Sequence, residues 1–393
     1  MTTAARAQHE VRLLAVLAAC RQALFPIPII TLYWKRQIGM SLSDIMLLQG
    51  LFALVVASAD FPAGYLADRI GYRASLVIGQ VLAVLGWVLY AAVTSVSGVV
   101  LAECTLACSI AFISGADSAL LYTALARQGA TEQYVRHEGR MQAVAQSSEA
   151  VTSACGGALY AVAPSLPFIL QVPAALVGLG AVFRLPPVAG TAAVESHLAR
   201  ALRLLRHTLV SHARLRTAMM LSVVLGLSSF TLVWLVQPYM EARGVPEPLF
   251  GPIWALANWW VGVMALLSHR VAARIGRGTT LMVCCVCVAA GYGCLAQTTA
   301  WYGFLFYFFI MTTRGLQIPL LRQALQDDAP AEDRAAVLSL NTMLFRLSFV
   351  VVAPIVAGLV AQVTLDTALR ILGGVYTTTA LLALAAFRRQ HGQ

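Results

Sequence analysis

Charge is scarce in this chain. Of its 393 residues only 11% are charged and 59% are hydrophobic, with a mean hydropathy of +0.77. Lysine is nearly missing, Lys35 being the single one among 27 basic residues. A water-soluble domain carries about 25% charged residues, so this chain cannot cover a surface that faces water. The signatures of soluble catalysis are missing too. No glycine-rich phosphate loop, no nucleophile elbow and no His-Glu-x-x-His occurs, so neither ATP hydrolysis, membrane proteolysis nor another enzymatic activity is expected. The eight cysteines, Cys284, Cys285 and Cys287 among them, lie in or beside apolar runs at spacings that suit no zinc site, and read as small packing residues. The histidines are mostly in polar segments, as His137, His197, His207 and His212. No metal and no cofactor is expected.

What the chain has is apolar length. Its runs stay hydrophobic for about 20 residues, enough to cross a bilayer as a helix, and show none of the alternation of a strand. In lipid every spanning backbone group needs an internal partner, which helices supply. The pattern predicts an all-α membrane protein with twelve spans, at 12–34, 44–66, 74–94, 98–126, 140–162, 167–184, 216–240, 249–270, 279–298, 300–323, 335–362 and 367–387. Short connectors rich in Gly, Pro and Ser separate them, for example Gly244-Val245-Pro246-Glu247-Pro248. One connector is longer, 185–215, rich in Arg and His, and reads as a cytoplasmic linker with an amphipathic helix. It divides the chain into six-helix bundles at 1–184 and 216–393. The N-terminus does not read as a cleavable signal, since Arg6, Glu10 and Arg12 precede an apolar stretch too long for a signal core.

The basic residues set the orientation. With the N-terminus inside, only Lys35, Arg36, Arg243 and Arg370 fall in outer loops, Arg21, Arg314 and Arg346 fall within spans, and the rest of the 27 lie on the inner face. A bias of this size puts both termini in the cytoplasm. The net charge of +10 is thus an orientation signal, split among separate loops, and favours anionic lipid as a neighbour over nucleic acid. The halves repeat: Gly39 and Gly244 are as far apart in sequence as Gly71 and Gly276, and Arg69-Ile70-Gly71 recurs as Arg274-Ile275-Gly276.

Between the second and third spans stands Gly64-Tyr65-Leu66-Ala67-Asp68-Arg69-Ile70-Gly71-Tyr72-Arg73, read as a tight charged turn at the membrane surface. It resembles the Gly-x-Leu-Ala-Asp-Arg-x-Gly-x-Arg signature of the major facilitator superfamily, with Gly64, Leu66, Asp68, Arg69, Gly71 and Arg73 in place. The resemblance covers essentially the whole chain and looks like a bacterial branch of twelve-helix transporters in the inner membrane, with two pseudo-symmetric bundles. It implies that the first and fourth spans of each half line a central cavity. It also implies that Asp68 holds a cytoplasmic gate against the start of the eleventh span, Pro330-Ala331-Glu332-Asp333-Arg334, with Arg140 as a further gate candidate. Two exporter patterns are broken. Ala111 stands where the fourth span would carry Arg ahead of Gly115, and Ser148–Gly157 keeps its closing glycine pair without the proline.

A charge at the bilayer centre costs at least about 2.5–3.5 kcal/mol unless paired or wetted. Arg21, Asp60, Glu103, Asp117 and Glu149 lie within spans of the first half, and Arg314 and Arg346 within the second. Acidic groups are thus confined to one half. A buried carboxylate exchanges protons more readily near neutral pH, and an arginine stays charged and forks onto a carboxylate or phosphate. Arg21, Asp117, Glu149, Arg314 and Arg346 are therefore the candidate substrate-binding and coupling residues, with protons carried by Asp117 or Glu149 and an anionic group held by Arg314 or Arg346. The alternative for each is an internal salt bridge, such as Arg21 with Asp117 or Glu149. Trp234, Trp254, Trp259, Trp260, Trp301, Tyr239, Tyr302 and Tyr307 cluster in the second half, and several at span ends read as interfacial belt residues; Gln237, Asn258, Trp259 and Gln317 read equally as cavity or core-packing residues.

The expected function is a monomeric, proton-linked secondary transporter, an antiporter, of a small organic solute, with an anionic group on that solute as the candidate partner of the arginines. Export of a siderophore, drug or carboxylate metabolite is favoured over uptake. A lipid or lysolipid flippase on the same scaffold is the alternative, and a non-transporting membrane receptor a further one.

Overall fold

The computed structural model describes residues 3–127, 129–187, 212–330 and 333–392. Among these residues every regular element is helical. Helices α1 (Thr3–Gln22) and α2 (Ile30–Tyr33, continued by a π turn at Trp34–Ile38) are followed by α3 (Leu42–Ile70) and α4 (Tyr72–Ala92). Next come α5 (Val96–Ile113), α6 (Ala116–Ala126), α7 (Tyr134–Val162) and α8 (Leu166–Phe183). The remainder are α9 (Ala213–Ala242), α10 (Phe250–Ile275), α11 (Arg277–Gln297), α12 (Tyr307–Asp328), α13 (Arg334–Gln362) and α14 (Leu365–His391). The helix expected in the linker 185–215 lies mostly outside the described residues; 185–187 is irregular and α9 opens at Ala213, ahead of the expected 216.

Ten helical segments among the described residues are long and apolar enough to cross a membrane. The expected first and fifth spans fall outside that set for physical reasons. The first is divided, because Pro26 and Pro28 cannot donate to a helical ladder, so α1 stops at Gln22 and helix resumes at Ile30. The fifth, α7, is a 29-residue helix whose opening turns carry Arg136, His137, Glu138 and Arg140 and whose middle carries Glu149. The expected fourth span is also divided. It breaks at Ser114-Gly115, with Gly115 at φ 81°, a left-handed backbone that glycine adopts without steric cost.

Contacts divide the chain into two units. One comprises Met1–Met40, Leu51–Ser196 and Glu247–Ala255; the other comprises Ser41–Gly50, His197–Pro246 and Leu256–Gln393. The opening of α10 thus belongs with the N-terminal unit and the opening of α3 with the C-terminal one. Lipid gives apolar helices little hydrophobic reason to associate, so close backbone approach and interhelical hydrogen bonds must hold them. In the N-terminal unit a Cβ added at Gly79 would sit 2.6 Å from Ile113, and one at Gly86 would sit 2.6 Å from Leu106. Those two glycines let α4 press on α5, where Ser109 donates to the Gly79 carbonyl at 2.7 Å. Gln80 donates to the Ala175 carbonyl of α8 at 2.9 Å. Around these bonds Leu14, Leu17, Leu76, Ile113, Leu121 and Val182 form a buried core. The C-terminal unit uses the same devices: Tyr292 packs over Gly373 and donates to the Ser228 carbonyl at 2.7 Å, and Thr313 donates to the Cys284 carbonyl at 3.0 Å.

The sequence repeat has a backbone counterpart. Gly39 and Gly244 have φ of 79° and 70°, and Gly71 and Gly276 have φ of 92° and 85°. The matched glycines therefore mark matched turns. No non-glycine residue among those described has positive φ.

Candidate functional site

The break in the fourth span and the break in the first meet at one ion pair. Arg21 stands in the last turn of α1 and Asp117 in the first turn of α6, and Arg21 Nη1 lies 3.0 Å from Asp117 Oδ2. Each charge stands at the helix end that favours it, a cation at a C-terminus and an anion at an N-terminus. Asp117 Oδ1 also accepts from the Ser118 amide at 2.8 Å. A second contact, Arg127 Nη1 to Glu10 Oε2 at 3.7 Å, ties the other end of α6 to α1. The Arg21 side chain keeps 36% of its exposure and Asp117 19%. Pairs this open contribute only about 0–1 kcal/mol in water-like surroundings, so the pair is a weak lock and can exchange partners.

Sequence reading missed a third charged member. Glu138 lies two residues ahead of the expected start of the fifth span, but α7 begins at Tyr134. Tyr134 and Glu138 therefore share a helix face one turn apart. The Tyr134 hydroxyl is in contact with Ser118 Oγ, and the Tyr134 ring packs edge-on against Tyr122 at 5.7 Å. Glu138 Oε2 is buried without a hydrogen-bond partner. Burial raises the Glu138 carboxyl above its ordinary pKa and the Asp117 charge adds to this, while Arg21 and a bond from Ser118 oppose it. The signal was present in the sequence: Tyr134, Glu138, Met141 and Ala145 follow a helical spacing, and Met141 and Ala145 are buried.

Glu149, farther along α7, is buried and held differently. It accepts from Gln22 Nε2 at 2.6 Å and from Trp254 Nε1 at 3.5 Å. Ser148 beside it donates to the Ala19 carbonyl of α1 at 2.8 Å. Trp254 is thus a buried donor and not a belt residue. Trp234, Tyr239 and Tyr307 are buried too, whereas Trp259, Trp301 and Tyr302 are exposed. Trp260 donates to Thr312 at 2.8 Å. Asp60 is half-buried in α3, and the buried Glu103 accepts from Tyr90 in an aromatic cluster with Phe168.

In the C-terminal unit Arg314 is half-buried on α12 and Arg346 half-buried on α13. Among the described residues Arg314 makes no ion pair, and its charge acts on the buried Tyr307. One turn on, Gln317 is buried, with an Oε1 that has no hydrogen-bond partner. Gln237 is buried on α9.

The signature decapeptide is not the turn its composition predicts. Gly64 through Ile70 belong to α3 and Tyr72 already opens α4, so Gly71 alone makes the corner. The helix persists through Gly64 because Leu66 and Ala67 are good helix formers and only Gly71 needs positive φ. Asp68 accepts from the Tyr72 hydroxyl at 3.3 Å. The Arg69 guanidinium lies over the Tyr65 ring at 4.6 Å, and Arg73 donates to the Phe183 carbonyl at 2.8 Å. Ile70, Arg73, Ala74, Val77 and Phe183 line an apolar cavity of about 360 Å³. Arg140 is exposed and borders a second cavity of about 540 Å³, with Gln8, Arg12, Gln133 and His137. In the segment proposed to receive Asp68, Ala331 and Glu332 lie outside the described residues.

The family model of the Major Facilitator Superfamily matches residues 13–353. No curated protein matches the chain. Many solved structures share its fold. The nucleoside transporter NupG is similar with a TM-score of 0.79 at 13% identity, covering 96% of this chain and 99% of its own. A peptide transporter POT in complex with sulfate is similar with a TM-score of 0.73 at 14% identity, covering 98% of this chain and 95% of its own. A POT family transporter in complex with 5-aminolevulinic acid is similar with a TM-score of 0.73 at 13% identity, covering 96% of each chain.

Proposed function

Because the chain belongs to the major facilitator superfamily, we propose that this multi-pass membrane protein is a proton-linked secondary transporter, an antiporter of a small organic solute. The observation that carries the reading is the open Arg21–Asp117 pair at two broken helix ends. Discontinuous helices place backbone ends and charges at transport sites, and a carboxylate that exchanges partners can also exchange a proton. In the proposed topology twelve spans form two six-helix bundles, at 1–184 and 216–393, joined by the linker 185–215. Both termini lie in the cytoplasm, and the chain is a monomer in a bacterial inner membrane.

The substrate is proposed to carry an anionic group. Arg314 supports this: a half-buried guanidinium with no protein carboxylate in ion-pair reach among the described residues is suited to a carboxylate or phosphate by a two-pronged bond. The similarly folded proteins are named for nucleosides and peptides, and at 12–14% identity they supply a panel of solutes to try. Export of a carboxylate metabolite, drug or siderophore is the preferred direction. A second reading, movement of a lipid or lysolipid, draws support from the apolar cavity beside Arg73.

The test is flux in proteoliposomes holding the full chain, with nucleosides, dipeptides, carboxylate siderophores and fluorescent lipids offered in turn under an imposed pH gradient. Gradient-driven movement of a soluble anion is the expected result. Lipid movement without solute flux would replace this reading with the second, and solute flux indifferent to pH would remove the proton.

A further inference from the structure

We propose that Glu138 and Asp117 share the single guanidinium of Arg21, and that this trio holds one exchangeable proton on Glu138. The use of that proton as the coupling proton rests on the transport reading above. Arg21 already pairs with Asp117 at 3.0 Å. Glu138 faces the same two charges from α7, and Ser118 of α6, the neighbour of Asp117, touches the same turn through the Tyr134 hydroxyl. With both carboxylates ionised the trio carries one excess negative charge, and with one protonated it is neutral. Two carboxylates beside one cation titrate as a unit, and the less well-paired member takes the proton.

That member is Glu138. Asp117 has a guanidinium and a backbone amide on its oxygens, whereas Glu138 Oε2 is buried with no donor. A buried carboxylate oxygen without a donor is poorly tolerated as part of an anion. Protonation forms an O–H bond on a Glu138 carboxyl oxygen with a proton from water, and release breaks the same bond and returns the proton to water. No other reactant is needed.

The groups around Glu138 are few. Arg21 comes from α1, and Asp117 and Ser118 from α6. Arg12 of α1 with His137 and Arg140 of α7 itself lines the adjoining cavity, and Arg136 and Glu132 are exposed nearby in the chain. Helix α8 has no charged residue along its length, and Glu247, which precedes α10, pairs with Arg36. The fully buried carboxyls are engaged: Glu10 by Arg127, Glu149 by Gln22 and Trp254, and Glu103 by Tyr90.

The test needs no substrate. Infrared difference spectra of the full-length protein in lipid, recorded between mildly acidic and mildly alkaline pH, read the carbonyl stretch of a protonated carboxylic acid. Wild type should show a band that titrates, and Glu138→Gln should lose it. Asp117→Asn should move its midpoint to lower pH and Arg21→Gln to higher pH, each by about one unit or more. A band unchanged in Glu138→Gln, or a midpoint that ignores both neighbours, overturns the proposal. Asp117→Asn and Glu138→Gln conserve volume, and thermal unfolding in the same buffers checks that each variant is folded. Proton-indifferent flux in wild type with the band intact would sink the transport reading alone and leave the shared proton standing.

Discussion

The two units have matched corners and unmatched charges. Gly71 and Gly276 turn the chain with nearly equal φ, as do Gly39 and Gly244. Yet the N-terminal unit breaks two of its spans and sets Arg21 and Asp117 at the breaks, with Glu138 on the opening turns of α7, whereas in the C-terminal unit α9 runs unbroken through 30 residues and the deep charges are Arg314 and Arg346. Turn geometry is common to both because it depends on a few glycines. The charges are free to differ because each is set by one side chain. On the proposed reading the first unit exchanges the proton and the second holds fixed positive charge, and substitutions in each can break that contrast.

The largest expected effect lies in the second unit. Arg314→Leu should abolish recognition of an anionic solute. Arg314→Lys keeps the charge and loses the fork, so affinity should fall about tenfold, or about 1.4 kcal/mol, with the protein still folded; equal binding by wild type and both variants would take the anion site away from α12. Next come the carboxyls. Asp117→Asn, which removes the charge facing Glu138, should weaken gradient-driven accumulation at neutral pH while keeping solute exchange. Glu149→Gln should lose less, because an amide can still accept from Gln22 and Trp254. The reverse order in a flux assay would move titration from the broken helix ends to the middle of α7. Asp68→Asn should slow transport at normal membrane abundance, since it keeps volume and loses charge; an unchanged rate would reduce Asp68 to a marker of topology. The smallest effects separate two glycines of one signature. Gly71→Ala forces a Cβ into a left-handed backbone and should cost about 1–2 kcal/mol of stability. Gly64→Ala sits mid-helix with nothing within 4 Å of the added carbon and should be neutral or stabilising by up to about 1 kcal/mol. Thermal unfolding of the two variants side by side decides.

Helix type and the positions of the apolar segments were legible from composition and run length, because lipid leaves a chain few alternatives. The repeat was legible from glycine spacing. The breaks were not: Pro26, Pro28 and Gly115 were visible, but an apolar run reads as one span whether or not its backbone is continuous. Those breaks turn Arg21 and Asp117 from mid-helix charges into terminal ones, which changes what each can do. Glu138 was lost to a boundary placed at 140, beyond the first turns of a helix that opens at Tyr134. The role of Trp254 is not legible, because sequence position cannot separate a ring at a lipid boundary from one donating to a buried carboxylate.

The corner at Gly71 has a mechanical consequence. A trans peptide link spans about 3.8 Å between Cα atoms, so a joint of one residue leaves almost no slack between α3 and α4. Axial travel of the last turns of α3 must reach α4 as a push, as in a bell crank, and cannot be absorbed as it would be in a flexible tether. Gly276 imposes the same constraint on α10 and α11. Spin labels at the inner ends of α3 and α4 should keep a narrow, unchanging separation throughout the transport cycle, and several glycines inserted after Gly71 should broaden it.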